Sequence, residues 1–151
     1  MFKEISKGRI LDHPVHAMLV HFPVALFPLS FAFDLWAMLS DEPDLFRASL
    51  YSICLGLAGG LAAALFGLVD YLKLTGQQEL LRKASWHAAI QSCVLMIFGV
   101  ITGLRFLNYP ESVEPGILQL IAMGIAIAAM LAGNYLGGDL VYRHGVGVHR
   151  R

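Results

Sequence analysis

ASLYSICLGLAGGLAAALFGLVDYL, residues 48–72, decides the class of this protein. From Ala48 to Val69 the stretch carries no charged side chain. That is enough chain to cross a hydrocarbon layer of ~30 Å as a helix, which takes ~20 residues. Inside a bilayer a spanning segment must satisfy its own backbone groups, so the segment is expected to be an α-helix. Three more stretches read the same way, which gives spans at about residues 14–39, 48–72, 85–107 and 116–140. The whole chain of 151 residues is 57% hydrophobic and 15% charged, well below the ~25% charged residues of a soluble domain. The expected fold is a single all-α domain, a polytopic four-transmembrane-helix bundle. The connecting stretches SDEPDLFR, KLTGQQELLRK and NYPESVEP are too short to house a second domain. No internal repeat or low-complexity segment is visible. The basic start MFKEISKGRI lacks a small-residue cleavage site after the apolar run, so the first span reads as a retained helix.

The basic residues set an expected orientation. Lys3, Lys7 and Arg9 precede the first span, Lys73, Arg82 and Lys83 separate the second from the third, and Arg143, Arg150 and Arg151 follow the fourth. That is nine of the eleven Lys and Arg, against Arg47 and Arg105 on the other side. The positive-inside rule then places both termini in the cytoplasm, in what reads as a bacterial inner membrane. The net charge of zero gives no support for a nucleic-acid partner. The partner expected from composition is the lipid bilayer, with the basic face near anionic headgroups.

Small residues recur at one-turn spacing: Gly56, Gly60, Ala63 and Gly67 in the second span, Gly99 and Gly103 in the third, Gly133 and Gly137 in the fourth. In lipid such residues let helix backbones approach, so the expectation is packing within the bundle, with any leftover small face open to a homo-oligomer. Cys54 and Cys93 fall at different depths and are expected to stay unbridged.

Polar residues gather at one end of these spans. In HPVHAMLVHFPVALF, residues 13–27, His16 and His21 lie roughly 3 and 10 Å into the first span at ~1.5 Å per residue, and His13 reads as a boundary residue. His87 opens the third span, with Gln91 one turn on. Asp70 and Tyr71 close the second span, Asn134 and Asp139 belong to the last turns of the fourth, and His144 follows. Ionisable groups within a span mark a site by default, and His21, the deeper of the pair, reads as functional. Pro23 and Pro28 leave the carbonyls of Leu19 and Val24 without their helical donors, so the first span is expected to bend near the histidines.

HAMLVHFPVAL, the DYL ending the second span, the HAAI of the third and the terminal LGGDLVYRHGVGV resemble a bacterial membrane family catalogued as domain of unknown function 2231. The resemblance runs over nearly the whole chain and implies a four-helix inner-membrane module without an assigned activity. Its matching positions are His16, His21, Asp70, His87 and residues 137–148. Relatives fused to Rieske iron–sulfur or cytochrome c-like domains add an implication of redox chemistry.

The chemistry expected from these residues is haem b binding and electron transfer, because neutral imidazole ligates iron without adding charge to the bilayer. His87 would supply one axial ligand and His21 or His16 the other, with Arg143, His144 and the glycine-rich tail near the haem carboxylates. The alternative is a transition-metal site, zinc, iron or copper, built from His16, His21, His87 and Asp70. A third reading is a structural subunit of a larger membrane complex without its own cofactor. A proton-coupled transporter fits less well, since the other halves of the spans show few polar residues. No nucleophile with its base, phosphate loop or covalent haem motif occurs, so no stand-alone catalytic constellation is read here. A redox partner follows from the haem reading.

Overall fold

The computed structural model describes residues 9–10, 13–109 and 113–147. Among the described residues, a two-residue antiparallel pairing of β1 (Arg9–Ile10) with β2 (His13–Pro14) leads into five helices. These are α1 (Val15–Leu19), α2 (His21–Ser40), α3 (Asp44–Leu72), α4 (Gln78–Phe106) and α5 (Ile117–Tyr142). Taken together, α1 and α2 form the first of four helical runs long and apolar enough to cross a membrane; α3, α4 and α5 are the others. The chain is an all-α, multi-pass membrane protein.

The helices are longer than the apolar windows that announce them. α3 starts at Asp44 and α4 at Gln78, where residues 48 and 85 were expected. Both early turns hold charged or polar residues that water solvates readily, and Asp44 and Glu79 complement the positive N-terminal ends of their helices. A hydropathy window cannot register such turns, because Gln, Glu, Leu, Arg and Lys form helix well without being apolar.

The expected irregularity in the first span is present as a break at Val20, between α1 and α2. Pro23 has no N–H to give the Leu19 carbonyl, and the helical ladder is interrupted there. The interruption is local. Val20 keeps helical angles of −61° and −20°, and bonds from Val20 N–H to the His16 carbonyl (3.1 Å) and from Val24 N–H to the Val20 carbonyl (3.2 Å) bridge it. Pro28 lies inside α2 without ending it.

α2 packs along α3 and α4 along α5, which makes two helical hairpins; between hairpins, α3 meets α4 and α2 meets α5. The core between them contains Phe27, Ile53, Phe98, Met123 and Met130, with the rings of Phe27 and Phe98 stacked at 3.8 Å and 9°. Close approach needs small residues here. A Cβ on Gly56 would stand 2.6 Å from the Phe27 ring, and one on Gly60 would stand 2.6 Å from Leu95 Cδ2. Gly99 and Gly103 behave differently from the expectation: they are exposed, with nothing within 4 Å of the Cβ each lacks. Cys54 and Cys93 are both free thiols.

α5 ends in an αL cap with Gly145 at the left-handed position. The Val146 N–H bonds the Leu140 carbonyl (3.0 Å) and the Gly145 N–H bonds the Val141 carbonyl (3.0 Å). Gly145 takes φ 69° and Gly147 φ 75°, left-handed angles that favour glycine. The motif folds Val146 back onto the cluster of Leu74, Ala84 and Leu140, against which Tyr71 also packs. The glycine-rich tail is therefore a fixed helix cap closing this end of the bundle.

Candidate functional site

His16 and His87 enter the bundle from α1 and α4. Each ring is held by the helix that follows it in its own hairpin. His16 Nδ1 lies 2.8 Å from the carbonyl oxygen of Ala63 on α3, and His87 Nδ1 lies 2.8 Å from the carbonyl oxygen of Gly133 on α5. A carbonyl can only accept, so Nδ1 carries the hydrogen in both rings. In the neutral form each imidazole then has its lone pair on Nε2, the arrangement in which a histidine is oriented to bind a metal. One turn beyond each carbonyl stands a glycine. A Cβ on Gly67 would come within 2.9 Å of His16 Cε1, and one on Gly137 within 2.8 Å of His87 Cε1. These two glycines of the small-residue stripes seat imidazole rings.

The ring centres lie 6.3 Å apart and the ring planes stand at 85°. An atom held in line between two imidazole nitrogens at about 2.0–2.1 Å from each would put the ring centres roughly 6 Å apart. Both rings line a cavity of about 530 Å³ that runs among all four spans, a size within the ~300–1,000 Å³ of ligand pockets. Its walls are largely apolar, with Phe27, Leu68, Val94 and Leu95 among them. One wall is polar: Gln91 Nε2 donates to Asn134 Oδ1 (2.9 Å) and, at 3.4 Å, to the Met130 carbonyl. At the capped end the cavity meets Leu74, Tyr71 and Val146, and the Tyr71 hydroxyl lies 2.9 Å from Ser85 Oγ.

The other residues singled out from the sequence fall elsewhere. His21 is exposed, and its Nδ1 lies 3.1 Å from the Met18 carbonyl one turn back. His16, not His21, is therefore the histidine facing His87. Arg143 and His144 surround Asp139: Asp139 pairs with Lys83 Nζ at 2.9 Å, Arg143 Nε at 3.2 Å and His144 Nε2 at 3.7 Å. This ion cluster does not line the cavity. Asp70 borders the cavity end but is paired with Lys73 at 2.9 Å, and a Cβ on Gly147 would come within 3.0 Å of its Oδ2. His16, His21, His87 and Asp70 thus do not form one ligand set, and among the described residues no three His, Cys, Asp or Glu side chains converge on a metal position. The side chain of His13 and residue Val148 lie outside the described residues.

At the opposite end of the bundle is a group the sequence reading missed. Arg105, counted above among flanking charges, is 2% exposed and lies inside the bundle. Its guanidinium forks onto Asp34, with Nη1 3.1 Å from Oδ1 and Nη2 2.5 Å from Oδ2. Nη1 also donates to Ser49 Oγ at 3.1 Å, and Nη2 lies 3.4 Å from Met123 Sδ. A legible signal existed: Val94, Phe98, Ile101 and Arg105 fall on one helical stripe, as do Pro23, Phe27, Ser30 and Asp34. With Arg105 inside the bundle, Arg47 in the first turn of α3 is, among the described residues, the one basic side chain left exposed at this end.

A family model described as "Predicted membrane protein (DUF2231)" matches residues 12–150, and the chain belongs to that family. No curated protein and no solved structure matches it.

Proposed function

We propose that this membrane protein holds haem b between His16 and His87 and carries electrons through it. The observation that supports the reading is the facing pair of imidazoles, each locked through Nδ1 and spaced at 6.3 Å across an apolar cavity. Two protein ligands are what a haem iron takes from a site that fills both axial positions, since the macrocycle supplies the other four. A bare zinc, iron or copper ion draws more of its ligands from side chains, and the described residues bring no third one to this pair. Held by these two rings, such a group would supply one-electron transfer. The protein's part is to fix the two rings, keep the cavity apolar and close one end with the Val146 cap.

The reading carries with it a bacterial inner-membrane location with both termini in the cytoplasm and a redox partner on that side. Reporter fusions at residue 1, near residue 78 and at residue 151 should all read cytoplasmic; a periplasmic reading at any of the three overturns this placement.

The direct test is the visible spectrum of the full chain purified in detergent and titrated with haem. A Soret band and an α band that sharpens on reduction are expected at one haem per chain. A spectrum identical to haem in empty detergent micelles overturns the proposal.

A further inference from the structure

We infer that the chain is a fused pseudo-dimer, two equivalent helical hairpins related by a two-fold axis along the bundle, with Asp34 and Arg105 as the charge pair that specifies their association. This inference stands independently of the haem reading.

Three side-chain pairs meet between the hairpins: His16 with His87, Phe27 with Phe98, and Asp34 with Arg105. In every pair the second residue number exceeds the first by 71 (87−16, 98−27, 105−34). Across a two-fold axis, equivalent residues from two copies meet each other. Three such meetings at a constant offset are what an axis between α1–α2 and α4 produces. The second helices of the hairpins follow suit at an offset of 70. Ala63 and Gly133 accept from the two histidines (133−63), and Gly67 and Gly137 seat them (137−67). Burial repeats with the same offset: Leu50 and Leu120, Ile53 and Met123, Gly56 and Ala126 are all buried. The helix contacts obey the same symmetry, since α2 meets α5 as α4 meets α3. The first hairpin and the second run in the same direction, so the axis lies along the membrane normal, as in parallel-repeat transporters. Four of these eight pairs keep the same residue (His16 and His87, Phe27 and Phe98, Gly67 and Gly137, Leu50 and Leu120), too few and too widely spaced to read as a repeat along the chain. The others keep burial and role.

The axis explains an otherwise unexplained atom. Gln119 Oε1 is buried without a hydrogen-bond partner. Its equivalent in the first hairpin is Ser49 (119−49 is again 70), and Ser49 accepts from Arg105. Gln119 occupies the place where an arginine at position 34 would find its acceptor. With aspartate at 34, that acceptor is left over. The charge pair also decides which hairpins associate: two copies of the first would oppose carboxylates at the axis, and two copies of the second would oppose guanidiniums. Each hairpin is thus a partner surface for a hairpin of the same architecture and opposite axial charge.

The test exchanges the pair within the full chain. Asp34→Arg and Arg105→Asp alone place like charges in the core, and each should lower the thermal midpoint in detergent by roughly 10 °C or abolish folding. The double exchange Asp34→Arg/Arg105→Asp should recover most of that loss. Adding Ser49→Gln and Gln119→Ser moves the acceptors with the charges and should recover at least as much. In the exchanged background Gln119→Ala should lower the midpoint, whereas in the native background it should not. If neither the double nor the quadruple exchange exceeds the better single variant, the two hairpins are not equivalent and the inference fails.

Discussion

His16→Ala and His87→Ala are each expected to abolish haem retention, while His21→Ala leaves it intact. The first two residues present the facing rings, and the third is turned outward onto its own helix. With one imidazole gone, a single side chain would remain to hold the group, so the Soret absorbance per chain should fall at least ~10-fold, the scale on which even outer partners of a ligand act. The double variant should lose no more than either single one, because one missing ligand has already broken the site. Folding should survive. Ala63 and Gly133 lie within helices and keep their own helical N–H donors, so neither carbonyl is orphaned when the imidazole leaves. Circular dichroism and a monodisperse elution profile check that half of the expectation. Full retention in both single variants would reduce the two histidines to interior hydrogen-bonding residues and end the cofactor proposal. A loss on His21→Ala equal to that on His16→Ala would return the second ligand to the deeper residue.

That His16 rather than His21 faces His87 shows where sequence reasoning stopped short. Depth along the span was legible, and both residues lie near the same end. Direction around the helix decided the matter. At about 100° per residue, His16 lies within roughly 20° of Pro23 and Phe27, whereas His21 is turned about 140° from His16. Pro23, Phe27, Ser30 and Asp34 form the buried stripe, and following it back reaches His16. The same stripe on α4 would have taken Arg105 indoors. Hydropathy, by contrast, located all four spans well, because uncharged runs of that length have few other uses. It failed at their ends, where Asp44 and Gln78 begin helices in residues that water accepts. The glycines divided into roles that spacing alone could not separate: Gly56 and Gly60 admit apolar side chains, Gly67 and Gly137 admit histidines, Gly133 admits Gln91 and Ile90, and Gly99 and Gly103 admit nothing. Composition suggests a tail near the haem carboxylates, but Gly145 and Gly147 hold a helix cap, a distinction carried by φ and invisible to composition.

Removing one member of the Asp34–Arg105 pair should be among the most destabilising single changes available in this protein. Both side chains are fully buried. Asp34→Leu leaves a guanidinium with Ser49 and Met123 as its remaining partners, and Arg105→Met leaves a carboxylate with no cation beside it. Each loss is expected to cost about 3–5 kcal/mol, the usual consequence of stranding a buried charge. The double replacement Asp34→Leu/Arg105→Met should behave quite differently. It removes both charges together with the desolvation that opposes them, and it also removes Arg105 Nε, a buried donor without a partner. Buried pairs exchanged for apolar residues of similar size are often neutral or more stable by ~1–4 kcal/mol. The double variant should therefore match or exceed the native chain in an equilibrium denaturation series, with a coupling energy of several kcal/mol between the two sites. Single variants within ~1 kcal/mol of native would show that the charges reach solvent, and the buried-pair geometry would be wrong. A double variant as unstable as the singles would show that the pair contributes net stability. The expected pattern, costly singles and a tolerated double, assigns the pair to specificity. An apolar replacement would hold the hairpins together equally well but would no longer prevent two like hairpins from pairing.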